Sequence, residues 1–188
     1  MLTGWLNWLP IPVNCCIINL KGTLMKIALS TDHAGFEKLK QLKEFLSSAG
    51  HECVNFGPRE YDSNDDYPDF IRPAAEAVAN GECEVGVIFG GSGQGEAMTA
   101  NRVKGVRCAV YYGPAKAAEA VDVSGHSAED EYEILRLSRQ HNDANMLSLA
   151  GRFLNNDAVE IAVSIWLNTK FTDEQRHSRR IAKIDGTA

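Results

Sequence analysis

The sequence predicts an α/β fold: a three-layer, doubly wound, Rossmann-like parallel sheet of five strands in the order 2-1-3-4-5, followed by a C-terminal helix. Two observations predict it. From Met25 onward, short β-type apolar runs alternate with amphipathic helical stretches, and strands separated by helices become parallel neighbours joined by crossovers. The third run, "EVGVIFG" at residues 84–90, is apolar almost throughout, as a strand buried on both faces must be.

Taken in order, "KIALS" (26–30) reads as the first strand and residues 34–50 as the helix after it. In that helix Phe36, Leu39, Leu42, Phe45 and Leu46 recur at helical spacing, and Gly50 ends the run. "ECVNF" (52–56) is the second strand, "YDSNDDYPD" (61–69) a turn-rich loop, and "IRPAAEAVANG" (71–81) a helix closed by Gly81. After the third strand, "GGSGQG" (90–95) leads into the helix "EAMTANRV" (96–103). "VRCAVYY" (106–112) is the fourth strand and "PAKAAEAV" (114–121) a helix. "NMLSLAG" (145–151) is the fifth strand, and "DAVEIAVSIWLN" (157–168) a helix. "TDEQ" (172–175) has capping-box spacing with Thr172 as N-cap, opening a last helix to about Ile184. No repeat interrupts the pattern, so residues 25–185 form one domain.

The bulk properties narrow the partners. Of 188 residues, 44% are hydrophobic and 23% charged, an ordinary globular composition. A net charge of −6 argues against nucleic acid. Five cysteines without CxxC spacing suit neither a disulfide framework nor a zinc site, and fit a reducing cytoplasm. Residues 1–24 are apolar but lack an early basic region, and Pro10 and Pro12 spoil a membrane helix. They read as an extension outside the domain, of unknown role, ahead of a start at Met25.

In an open doubly wound sheet, ligands bind beyond the carboxyl ends of the strands where strand order reverses. Here that point lies between the first and third strands, so "STDHAG" and "GGSGQGE" converge on one crevice. Four glycines in six positions expose backbone N–H groups at a helix N-terminus, which makes an anion or oxyanion pocket. Ser92 adds a hydroxyl donor. The spacing is neither GxGxxG nor a Walker motif, so dinucleotide and nucleotide readings are weak. Glu96, in the first helical turn, either complements the helix dipole or acts as a general base that the same field keeps ionised. His141, in the turn "RQHNDAN", is either a solvated loop residue or a proton donor with a pKa near neutrality. Arg176, Arg180 and Lys183 share one helix face, and the arginine pair suits a phosphate clamp.

Taken together, "STDHAGFEKLK", "DYPD", "GGSGQGEAMTANR", "GVRCAV", "SRQHNDANMLSLAGR" and "QRHSRRI" resemble, in order and spacing, the ribose-5-phosphate isomerase B family, which includes galactose-6-phosphate isomerase subunits. The resemblance implies aldose–ketose isomerisation of a phosphorylated sugar through an enediolate, without metal or cofactor. It also implies a homodimer, or a tetramer, with the active site between subunits. Carried over by position, Asp32 and His33 contact the sugar, Asp32 assisting ring opening. Gly91, Ser92, Gly93, Gln94 and Gly95 form the loop around the enediolate. His141 becomes the ring-opening acid–base group with Asn142 beside it, and Arg152, Arg176 and Arg180 hold the phosphate. Many family members carry a cysteine base where this chain has Gly90; another branch uses a glutamate at the position of Glu96.

The resemblance breaks at "VDVSGHSAEDEYEILRL" (121–137), an insert just before His141. Ser127 and Asp130 have capping-box spacing, so the insert reads as part of a longer or extra helix, with His126 on the surface. The leading expectation is interconversion of ribose 5-phosphate and ribulose 5-phosphate. The alternatives are a six-carbon sugar phosphate (galactose or allose 6-phosphate) or a non-catalytic sugar-phosphate binding module. Pocket length around Tyr67 and the insert decides between the sugars.

Overall fold

The structure is a computed structural model that describes residues 23–187. The expected extension therefore lies outside the described residues except for Thr23 and Leu24. Five strands form one wholly parallel sheet: β1 (Lys26–Ser30), β2 (Glu52–Asn55), β3 (Val85–Gly90), β4 (Cys108–Tyr111) and β5 (Met146–Ala150). Around it lie α1 (Phe36–Ser48), α2 (Tyr67–Ala79), α3 (Gln94–Ala100), α4 (Glu133–Gln140), α5 (Asn156–Asn168) and α6 (Gln175–Ile184).

Three layers result, as expected. On one face Leu39, Leu42 and Leu46 of α1, Leu135 of α4, and Val159, Val163 and Trp166 of α5 share a core with Ile27, Leu29, Val87 and Leu147. On the other, Ile71, Ala74 and Val78 of α2 and Ala100 of α3 pack against Ala28, Ile88 and Met146. The alternation of side chains across each strand feeds both cores at once.

The strand order is β2-β1-β3-β5-β4, which corrects the expected 2-1-3-4-5. Burial explains the exchange. Every residue of β5, "MLSLA", is buried, whereas "CAVY" of β4 is only partly so. The outer edge of β4 is occupied at Cys108 by the Asn101 amide, which donates to the Cys108 carbonyl at 3.0 Å and accepts its N–H at 2.8 Å. An edge strand capped by a side chain needs no further neighbour. The chain thus skips a place between β3 and β4 and returns to fill it, and right-handed crossovers put α4 on the face opposite α3. β1 still lies beside β3, so the strand reversal stays where the sequence puts it.

Four local expectations are corrected. Residues 114–121 are not helical. Their side chains are almost all exposed, and alanine-rich propensity alone does not hold so short a helix without an apolar face to bury. The insert continues as turns, with the Asp122 carboxylate accepting the Ser124 and His126 N–H groups, and its helix begins only at Glu133. Ser127 is no N-cap; Asp130 instead accepts the Tyr132 N–H and pairs with Arg136 at 2.7 Å. His126 is on the surface, as expected. Finally, α6 starts at Gln175 with Glu174 at its N-cap, because Asp173 takes a left-handed φ of 50° and the Thr172 hydroxyl donates to the Gln140 carbonyl. α2 also begins earlier than read, at Tyr67, since Pro68 suits a first helical turn.

Candidate active site

At the carboxyl end of β3 the chain passes through Gly90–Gly95 into α3. Gly93 holds φ 75°, a left-handed conformation that favours glycine. The buried Ser148 hydroxyl, reaching over from β5, donates to the Gly93 carbonyl at 2.7 Å. Arg152 follows β5, and its N–H donates to the Gly91 carbonyl at 3.1 Å. Its guanidinium carbon lies 3.4 Å from where a Cβ on Gly91 would stand. The Tyr67 hydroxyl comes down on Gly95, 2.7 Å from a Cβ placed there. The glycine density therefore first serves the protein's own side chains, which crowd the loop from several sides. The corrected strand order is what brings Arg152 to this loop.

Glu96 is only 5% exposed, and its carboxyl group fills the space that a side chain on Gly90 would occupy. Burial pushes its pKa above the ordinary carboxylate range, the nearby Asp32 charge pushes the same way, and its own N–H opposes them. Desolvation thus outweighs the backbone in setting the direction of the shift, against the helix field expected to keep this carboxylate ionised.

Across the crevice, Asp32 follows β1, is 6% exposed, and accepts the Ala34 N–H at 2.9 Å. His33 opens a short 3₁₀ turn (His33–Gly35) whose Gly35 packs closely against Thr31 and Phe89. The His33 imidazole Nδ1 lies 2.7 Å from Asp65 Oδ1, and the same oxygen accepts the His33 backbone N–H at 3.1 Å. One ligand atom each from Asp32, His33 and Asp65 lies within 4.8 Å of the others, the one such trio among the described residues. Asp65 Oδ1 is engaged by His33, and Asp32 Oδ1 by the Ala34 N–H. Ser92 is half-buried beside Gln94, whose N–H faces its hydroxyl at 3.4 Å, and the Gln94 side chain is exposed.

The remaining predicted residues gather elsewhere. His141 caps the C-terminus of α4, ahead of the amino end of β5, with Asn142 exposed beside it. The His141 ring stacks on His177 of α6, centroids 4.2 Å apart and planes 13° apart. Arg176 pairs with Glu174 at 2.8 Å, and Arg180 is exposed on the same helix. Within one chain, then, Asp32, His33, Tyr67, the glycine loop, Glu96 and Arg152 form one cluster. His141, Asn142, Arg176 and Arg180 form a second at the opposite end of the sheet.

Sequence reading missed three residues. His177 is 2% exposed, and burial, then His141 and Arg176, hold its pKa below the usual histidine value. It stood in plain view inside "QRHSRR" but looked like part of a solvated cationic face. Asp65 was one acid among several in a turn-rich loop. Ser148 carried no signal, since a serine within an apolar strand declares no partner.

Comparisons with known proteins place the chain among sugar-phosphate isomerases. A family model described as Ribose/Galactose Isomerase matches residues 27–127 and 125–184, dividing within the insert. The chain is similar to ribose-5-phosphate isomerase B of Mycobacterium leprae, 33% identical over 157 residues that cover 84% of this chain and 86% of that protein. It is similar to ribose-5-phosphate isomerase B of Escherichia coli, 30% identical over 161 residues, 86% of this chain and 95% of the other. Among solved structures, ribose-5-phosphate isomerase B of Clostridium thermocellum superposes with a TM-score of 0.73 at 35% identity, covering 86% of this chain and 96% of that one. The Mycoplasma genitalium enzyme with bound ribulose-5-phosphate gives 0.72 at 33% identity, covering 86% and 94%.

Proposed function

The chain belongs to the ribose/galactose isomerase family, and from that premise we propose that it interconverts ribose 5-phosphate and ribulose 5-phosphate through an enediolate. The observation that carries this reading is the buried Glu96 carboxyl seated against the glycine loop, beside Asp32. A carboxylate with a raised pKa is a stronger base toward carbon acids once ionised. In the open-chain aldose, Glu96 takes the proton from C2 as the C1 carbonyl oxygen gains negative charge. The N–H groups of Gly91 to Gly95 and the Ser92 hydroxyl stabilise that oxygen, a proton passes from O2 to O1, and Glu96 returns its proton to C1 to give the ketose. Each well-aimed donor of this kind lowers such a barrier by about 3 kcal/mol.

Ring opening and phosphate binding fall to the other cluster. His141 exchanges a proton with the ring oxygen, Asn142 hydrogen-bonds the sugar, and Arg176 and Arg180 join Arg152 on the phosphate. Because β5 is five residues long, the two clusters of one chain lie roughly 15 Å apart along the sheet. A homodimer resolves the separation by setting His141 and the α6 arginines of one copy against Glu96 of the other. An opening of about 490 Å³ lined by Val103, Val106, Cys108, Ala109 and Ile184, with Met98 exposed nearby, supports a partner surface on this side. The setting is the cytoplasmic pentose phosphate pathway, where both sugars are intermediates.

The test is an isomerase assay on ribose 5-phosphate with six-carbon phosphosugars as comparators and metal chelated. Glu96→Gln is expected to keep phosphosugar binding and lose at least about a hundredfold in kcat. Near-wild-type turnover in that variant would overturn the assignment of the base, and loss of activity on chelation would overturn the metal-free chemistry.

A further inference from the structure

We propose that Asp65 is a positioning residue that holds the His33 imidazole for the substrate, an inference that rests on the isomerase reading above. Asp65 lies in the loop before α2, 32 positions from His33 in sequence. A single oxygen, Oδ1, takes two bonds: the His33 backbone N–H at 3.1 Å and the ring Nδ1 at 2.7 Å. One atom thus fixes both where His33 sits and how its ring is turned. The Asp65 side chain is 8% exposed, and its second oxygen, Oδ2, is buried with no hydrogen-bond partner among the described residues. A buried carboxylate oxygen left without a partner is costly. That cost points to a role that geometry alone does not repay.

The consequence for the imidazole is definite. A carboxylate accepts, so the short contact places a proton on Nδ1 and leaves Nε2 as the ring's acceptor nitrogen. The ring is a quarter exposed at the mouth of the crevice, and Tyr61 meets it edge-on at 6.3 Å. Asp32 Oδ2 stands 3.8 Å from the same Nδ1, beyond hydrogen-bond reach, while its Oδ1 accepts the Ala34 N–H, so Asp32 does not replace Asp65. A histidine fixed in this way meets its ligand without first losing ring rotation, which favours binding more than the chemical step.

The test combines Asp65→Ala, Asp65→Asn and His33→Ala with the double variant Asp65→Ala/His33→Ala, using ribose 5-phosphate. Asp65→Ala is expected to raise KM about tenfold while kcat changes by less than about threefold. Asp65→Asn, whose amide oxygen still accepts both bonds, recovers most of the loss. If Asp65 acts through His33, the double variant is no worse than His33→Ala alone. A KM unmoved in a folded Asp65→Ala enzyme, or effects that multiply in the double variant, would overturn the proposal. The unaltered enzyme separates this claim from its premise. No turnover of ribose 5-phosphate by wild type sinks the isomerase reading, whereas wild-type turnover with an unmoved KM in Asp65→Ala sinks only the role of Asp65.

Discussion

The carboxyl group of Glu96 occupies the volume that a side chain on Gly90 would require. The two positions are six apart in sequence, joined by the glycine loop, and only one of them has room for a functional group. This accounts for the two forms that the family resemblance brings together, a cysteine at the first position or a glutamate at the second. They are alternative ways of filling one space beside the same loop. Gly90→Ala should therefore displace the Glu96 carboxyl and lower kcat by about a hundredfold, close to the loss in Glu96→Gln. Gly90→Cys should be equally poor, and Gly90→Cys with Glu96→Ala should recover part of that loss. Steady-state kinetics on the four proteins, with thermal melts as a folding control, checks the coupling.

The pH profile follows from the burial of Glu96. The proposed base works ionised, and burial, with Asp32 adding to it, holds its pKa above the usual carboxylate range. Activity is then present above that raised pKa and falls as pH drops through it, so the acid limb of kcat/KM should lie at a higher pH than an exposed glutamate would give. Asp32→Asn removes the negative charge that helps raise the pKa. In that variant the limb should move to lower pH, whatever the change in its height.

The proposed dimer, with its sites shared between subunits, makes a quantitative forecast. Mixing Glu96→Gln and His141→Ala subunits, each inactive alone, gives hybrid dimers in which one site draws both good residues from opposite chains. Random reassociation makes half of the dimers hybrid, with one working site in two, so about a quarter of wild-type activity should return. No recovery after verified subunit exchange would place both residues in a single chain.

Ser148 offers a quieter check on the loop. Its hydroxyl holds the Gly93 carbonyl at 2.7 Å from a wholly buried position, which fixes the peptide whose N–H group opens α3. Ser148→Ala should lower kcat by about tenfold with KM little changed, because a loosened loop costs transition-state alignment more than binding. A parallel drop in melting temperature without any kinetic change would assign Ser148 to stability alone.

Several features were legible without coordinates, and each rests on neighbours in sequence. The apolar run of β3, the leucine spacing of α1 and the glycine-to-helix transition at Gly93 all follow from local periodicity and backbone sterics. They placed Asp32, His33 and Glu96 at one strand reversal, and the structure has them there. The segment at 114–121 failed because alanine, lysine and glutamate favour a helix that nothing in the fold packs against. The rise in the Glu96 pKa was not legible, because the helix N-terminus is visible in sequence and the surrounding burial is not.

From the sequence alone came the class of the fold, the strand reversal and the residue types that suit an enediolate. Tertiary structure alone decided that β5 lies inside β4, that Arg152 therefore reaches Gly91, that Glu96 takes the room of Gly90, and that Asp65 grips His33. The physical reason is range. Backbone propensity and hydrophobic period act over a few residues, whereas lateral strand order, excluded volume and desolvation depend on groups that meet only after the chain has closed on itself.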